Sequence, residues 1–199
     1  MGSDANRLRK KWQDYSGRKA TNAENDFFKV FEKLFLDTNY QIIKHPKDFN
    51  KIYLDVKLSK KELSEIYTPD IEITKHGIFP DFSIKNNDTN KTIYIEIKRQ
   101  DGWVEGGKRK DGRGNAHERS NKFFTPGLLK ALRKKGNIDK KHLPFWVIFQ
   151  GNITRDPLRV REITLWYDKY DAHYFFWRNN KDALPLIEHF LNKIKPIID

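Results

Sequence analysis

The chain has no cysteine, so it carries neither a disulfide framework nor a thiolate metal site, and a cytoplasmic location is expected. It also lacks any apolar run near the length of a transmembrane helix. Its first residues, MGSDANRLRKKWQDYSGRK, contain no signal-type apolar core. A membrane role is therefore not expected. Acidic residues are in deficit: 27 Asp+Glu against 39 Lys+Arg leave a formal charge of +12 on 199 residues, with a pI near 9.7. Such an imbalance favours polyanionic partners, nucleic acid above all. Internal repeats and long linkers are missing too, which predicts one domain over 1–199. Aromatic residues are plentiful at 14%, enough for a real core and too many for a disordered basic tail.

The stretch from Pro80 to Lys98, PDFSIKNNDTNKTIYIEIK, organises the rest. Ile78 to Ile84 and Thr92 to Lys98 alternate with a period of two around the turn formers Asn86 to Asn90, a β-hairpin signature. Ile93, Ile95 and Ile97 then point one way, and Tyr94, Glu96 and Lys98 the other. Glu96 and Lys98 project from one face roughly 6 to 7 Å apart along the strand, and Asp81 can converge on them. Two carboxylates and an ammonium at a sheet edge suit Mg²⁺, which takes oxygen ligands, keeps several waters and binds phosphate. A metal on Asp81 and Glu96 would polarise a phosphodiester and activate water, with Lys98 orienting that water or neutralising growing charge. An ordinary surface strand with a Glu/Lys pair fits the same spacing.

Upstream, residues 1–20 read as a mobile arm or short helix. A core-packing helix then runs to about Leu36, capped by Thr21 or Asn22, with Phe27, Val30, Phe31, Leu34 and Phe35 on one face. Tyr40 to Ile43 reads as a short strand and KKELSEIY as a short helix. Downstream, Thr125-Pro126 opens a helix that stops at Gly136. Leu143 to Gln150 is a strand covered on both faces. Asp156-Pro157 starts a helix to about Lys169, His173 to Trp177 is a strand, and Asp182 or Ala183 to about Ile194 forms the last helix, burying Leu184, Ile187, Phe190, Leu191 and Ile194.

Two segments behind the hairpin carry further chemistry. Arg99 to Arg113 is a basic, glycine-rich loop, solvated or in contact with a nucleic-acid backbone. Gly114 to Lys122, GNAHERSNK, has Asn115 and Glu118 at capping-box spacing and Glu118 and Lys122 at i,i+4. The same side chains make a base-reading head, since Asn matches adenine, Arg matches guanine and Glu accepts from an exocyclic amine. Cap and reader are equally good readings, and Asn115 can be both.

PD(81)…E(96)IK(98) followed by GNA-x-ERS-x-K resembles type II restriction endonucleases of the EcoRI/MunI group, within the PD-(D/E)xK nucleases. The nuclease core is a loose pattern, whereas its combination with the second segment is specific. The likeness to the MunI branch extends through EIKRQDGWVEG, GRGNAHERS, FTPGLLKA, LPFW, ITRDP and VREIT, roughly Pro80 to Tyr170. It implies an α/β fold with a central mixed β-sheet flanked by helices, and Mg²⁺-dependent cleavage of double-stranded DNA with Asp81, Glu96 and Lys98 catalytic. The implied site is CAATTG, cut to leave 5′ overhangs by a homodimer whose helices from Asn115 to Lys135 lie near the dyad. A cognate DNA methyltransferase is implied as a system partner without direct contact. By the same resemblance Arg113, Gly114, Asn115, Ala116, His117, Glu118, Arg119, Ser120 and Lys122 form the DNA-binding set. Asn115, Ala116, Glu118 and Arg119 serve the inner AATT, and Arg113 the outer C·G pair. A related nuclease of DNA repair or junction resolution is the alternative, and a catalytically silent DNA-binding module a more distant one.

Overall fold

Alternation around an asparagine-rich turn produces the expected hairpin, with the first strand shifted from Ile78–Ile84 to Phe82–Asn86. A computed structural model describes residues 19, 21–66, 71, 73–108 and 114–199. Five strands, β1 (Tyr40–Lys44), β2 (Phe82–Asn86), β3 (Thr92–Arg99), β4 (Phe145–Gln150) and β5 (Tyr174–Trp177), form one mixed sheet in sequence order. β2 pairs antiparallel with β1 and β3, with Phe82 opposite Ile95, while β3, β4 and β5 are parallel. The hairpin turn closes on itself: Asn86 Oδ1 accepts from the Asp88 amide at 2.9 Å, and Asn90 takes a left-handed φ of 55°, a conformation asparagine tolerates well.

Each face of the sheet buries its own apolar cluster. Phe82, Ile84, Ile93, Ile95, Trp146 and Ile148 pack on one side with Phe27, Phe31 and Phe190. Tyr94, Phe145, Val147 and Phe149 pack on the other with Phe123, Leu132, Ile163 and Tyr167. All six residues of β4 are buried, which is why its sequence is almost continuously apolar.

Helices cover both faces. On the first lie α1 (21–34), which buries Phe27 and Phe31, and a C-terminal run of α5 (Leu184–His189), a π turn (Phe190–Ile194) and α6 (Lys195–Ile198). Thr21 and Asn22 are themselves helical, whereas an N-cap residue stands outside the helix. The last helix continues past the expected end at Ile194. It buries Leu186, Phe190, Ile194, Ile197 and Ile198, leaving Leu184 and Leu191 exposed. The π turn inserts a phase shift, which a regular 3.6-residue period cannot follow, and Pro196 next to it lacks the amide a regular helix would use.

A short exposed helix, α2 (Lys60–Glu65), forms on a Ser59–Glu62 capping box. The second face carries a 3₁₀ helix (Ala116–Phe124), α3 (Pro126–Gly136) and α4 (Pro157–Tyr167). Asp156 caps α4 by accepting from the Leu158 amide. α3 ends at Gly136, but the left-handed residue is the next one, Asn137, with φ 53°. Gly136 is needed for a different reason: a Cβ there would lie 2.3 Å from the Thr92 carbonyl oxygen. Gly136→Ala should therefore destabilise the protein by about 1–3 kcal/mol. Gly127→Ala, in the same helix with open space around it, should be neutral or stabilising by up to about 1 kcal/mol. Paired urea melts of the two variants test this contrast.

Candidate active site

The antiparallel ladder between β2 and β3 stops at Phe82 opposite Ile95, which leaves the amide of Ile97 without a strand partner on that side. Asp81, one residue before β2, fills the place: its Oδ2 accepts from the Ile97 amide at 2.7 Å. The backbone carbonyl of Asp81 accepts from His45 at 2.9 Å, which fixes the entry into β2 from the other edge. Upstream, Ile78 donates to the Phe49 carbonyl, and Gly77 passes so close to Phe49 that no side chain would fit. The expected trio thus converges. Glu96 and Lys98 share a face of β3, with Lys98 Nζ donating to Glu96 Oε1 at 2.5 Å.

The charges here are held away from water. Glu96 is only 6% exposed, and its Oε2 is buried with no hydrogen-bond partner. Burial raises the carboxyl of Glu96 above its ordinary range; Lys98 opposes the shift and neighbouring Asp81 adds to it. Burial likewise raises Asp81, against the Ile97 hydrogen bond and the Lys98 charge. A buried and a half-buried carboxylate that repel each other, one with an orphaned oxygen, suit a small oxygen-seeking cation. Among the described residues no group of three acidic, His or Cys side chains is present. A cation on Asp81 and Glu96 would thus complete its shell with waters and substrate oxygens, the habit of Mg²⁺.

The GNAHERSNK segment is a 3₁₀ helix whose buried residues, His117, Ser120 and Phe123, recur every three positions. Gly114, Asn115, Glu118, Arg119 and Lys122 are exposed and Ala116 is half-buried. His117 and Ser120, expected in the reading set, turn inward. His117 stacks on Trp166 and pairs through Nε2 with Glu162 at 3.1 Å, and the Ser120 hydroxyl donates to the His117 carbonyl. Burial and the Arg159 charge hold His117 below the usual imidazole range despite Glu162.

The capping box is not formed. Asn115 makes no side-chain cap bond; its Oδ1 accepts from Arg159 Nη2 at 3.2 Å. Glu118 and Lys122 make no ion pair with each other among the described residues, because a 3₁₀ turn does not align i with i+4. Lys122 instead lies near enough to Glu96 to lower its carboxyl. Arg113 lies outside the described residues.

Sequence reasoning missed three supports of this segment. Gln100 Oε1 accepts from the Ala116 amide at 3.2 Å. Arg159 and Glu162, joined at 2.7 Å, grip Asn115 and His117 from α4. The i,i+3 spacing of Arg159 and Glu162 is the signal that could have paired the two.

The family model described as type II restriction enzyme MunI matches residues 1–199. The type II restriction enzyme MunI of Mycoplasma sp is 49% identical over 202 residues, covering 100% of both chains. A crystal structure of MunI restriction endonuclease in complex with cognate DNA superposes with a TM-score of 0.81 at 50% identity, covering 94% of this chain and 97% of that one.

Both raised carboxyls have a consequence for stability. A carboxyl whose folded pKa exceeds its unfolded value favours the fold while protonated, and that contribution is lost as pH rises through the folded value. Removing one charge with Glu96→Gln should therefore raise the melting temperature in EDTA near neutral pH. The gain should shrink as pH falls toward the ordinary carboxylate range. Calorimetry across that range checks it; a lower melting temperature in EDTA would mean that the Lys98 pair outweighs the burial.

Proposed function

The chain belongs to the MunI family of type II restriction enzymes, and from that premise we propose that it hydrolyses duplex DNA at CAATTG, with Mg²⁺, to leave 5′ overhangs. The observation that carries this reading is the convergence of Asp81 and Glu96 beside Lys98, with Glu96 Oε2 unpaired, in a chain that also exposes Gly114, Asn115, Glu118, Arg119 and Lys122. The DNA complex of the 50% identical MunI structure supports duplex binding.

In this proposal residues 1–199 act as one domain in the cytoplasm, and two copies form a homodimer, each reading one half of the palindrome. Asp81 and Glu96 hold the metal. Bound there, Mg²⁺ supplies Lewis-acid polarisation of the phosphodiester and favours ionisation of the attacking water. Lys98, already fixed by Glu96, orients that water and offsets charge that grows on the phosphate oxygens. The hydrogen bond from Ile97 keeps the Asp81 carboxylate aimed at the site, and Lys122 adds positive potential on the substrate side. Asn115, Ala116, Glu118 and Arg119 face the inner AATT pairs, while His117 and Ser120 set the segment's shape from beneath. Arg113, in the glycine-flanked GRG, reads the outer C·G pair. A cognate DNA methyltransferase protects the same sequence without touching this chain.

Digestion of plasmid in Mg²⁺ followed by sequencing of the ends should give discrete fragments cut within CAATTG. Asp81→Ala should lower the rate on the order of a thousandfold or more while keeping specific binding in Ca²⁺. Cleavage at the unaltered rate would sink the assignment. Arg113→Ala should lose preference for CAATTG over GAATTC by about 1–3 kcal/mol. Equal weakening on both duplexes, measured at one salt concentration, would make Arg113 a phosphate contact.

A further inference from the structure

β3, β4 and β5 run parallel, so their C-terminal ends open together at one edge of the sheet, the edge where α/β proteins place ligands. A cavity of about 180 Å³ opens there, lined by Arg99, Asp101, Gln150, Asn152, Arg155 and Arg178 among others. Arg99 follows Lys98 directly but leaves β3 on the opposite face. The cavity is therefore a neighbour of the Asp81–Glu96–Lys98 centre and separate from it.

Its charge is not balanced among the described residues. Asp101, the one carboxylate in the lining, is already taken by Arg99 at 3.1 Å and by Lys19 at 3.3 Å. Arg178 is held in place by donating from Nε to the Thr154 carbonyl at 3.1 Å and by lying 5.4 Å over the Phe176 ring, which leaves its Nη groups unengaged. Arg155 is exposed and has no hydrogen-bond partner among the described residues. Gln150 is fully buried: its Oε1 accepts from Arg99 Nη1, and its Nε2 is buried with no acceptor. An orphaned buried donor is uncommon in a native structure. Here it lines a cavity with two uncompensated guanidinium groups, one of them pre-oriented, a combination that matches a phosphate.

We propose that this cavity is a second phosphate-binding site, in which Arg155 and Arg178 hold a backbone phosphate flanking the one at Asp81 and Glu96. The proposal rests on the reading that the chain binds duplex DNA; it is independent of the sequence cut. A phosphate contact fixes the duplex without reading it. Its loss should weaken binding to any sequence equally.

The test uses the full chain in Ca²⁺, with fluorescence anisotropy on a CAATTG duplex and on one lacking the site, over a range of KCl. Arg155→Ala, at an exposed side chain, should lower the slope of log K against log salt by about 0.9 on both duplexes and leave their affinity ratio unchanged. Arg178→Lys, which keeps the charge but not the fork, should weaken both duplexes equally with little change in slope. A single methylphosphonate placed in turn along the strand should cost the unaltered protein affinity at one position outside the scissile linkage. The same substitution should cost Arg155→Ala nothing further there. Unchanged slopes and unchanged methylphosphonate sensitivity overturn the proposal. So does a cavity that binds inorganic phosphate, seen as a melting-temperature rise lost in Arg155→Ala, while DNA binding is unaffected. Failure of the unaltered protein to bind any duplex would instead sink the reading on which this rests.

Discussion

The hydrogen bond from the Ile97 amide to Asp81 is the contact on which the site depends. It exists because β2 begins two residues too late to pair with Ile97, and a carboxylate takes the place of a strand carbonyl. Three results follow from this one substitution. The edge of β3 is satisfied, the charge of Asp81 is brought to the face where Glu96 and Lys98 project, and the entry into β2 is fixed between His45 and β3. A longer β2 would have closed the ladder and excluded the carboxylate.

Charge at the site is kept at the expense of the metal-free fold. Burial opposes ionisation of both Asp81 and Glu96, yet Lys98 pairs with only one oxygen of Glu96 and leaves the other bare. A group that fits no intramolecular partner is best understood through what binds from outside, since anything that binds the folded chain alone stabilises it. The basic surroundings then have two functions: Lys122 acts on the site itself, and the sheet edge beyond it carries arginines whose charge no carboxylate among the described residues offsets.

Much of this was legible from local rules. The hairpin was readable because alternation and turn chemistry agree, and the trio because D…ExK on alternating strand positions puts Glu96 and Lys98 together. Helices with local signals were found, Pro126 and Pro157 at their starts, and the short helix at KKELSEIY was found although its Ser59–Glu62 capping box was not read. What failed depended on partners distant in sequence. Asn115 and Glu118 have capping-box spacing, but Arg159 lies 44 residues away and takes the Asn115 oxygen. His117 and Ser120 look as polar as their neighbours, and only their recurrence with Phe123 at a spacing of three marks a 3₁₀ face turned to the core. The last helix was misphased because a π turn leaves no signature in hydrophobic period.

The strand that bears Glu96 and the exposed segment from Gly114 to Lys122 are joined by a single residue. Gln100 follows β3 directly. Its backbone amide donates to Gln150, its backbone carbonyl accepts from Ile153, and its side chain accepts from Ala116. All three bonds come from a residue that is 8% exposed and stands two positions after Lys98. A shift of Ala116 on the DNA must therefore move Gln100, break its bond, or be resisted by β4. Arg159 and Glu162 brace the other side of the same segment from α4. With both sides held, the segment's position is set within the folded chain. Under the proposed function, a duplex of the wrong shape would have to strain contacts that reach back to the strand carrying Glu96 and Lys98, so that sequence reading and phosphodiester cleavage would be linked by short hydrogen-bonded paths.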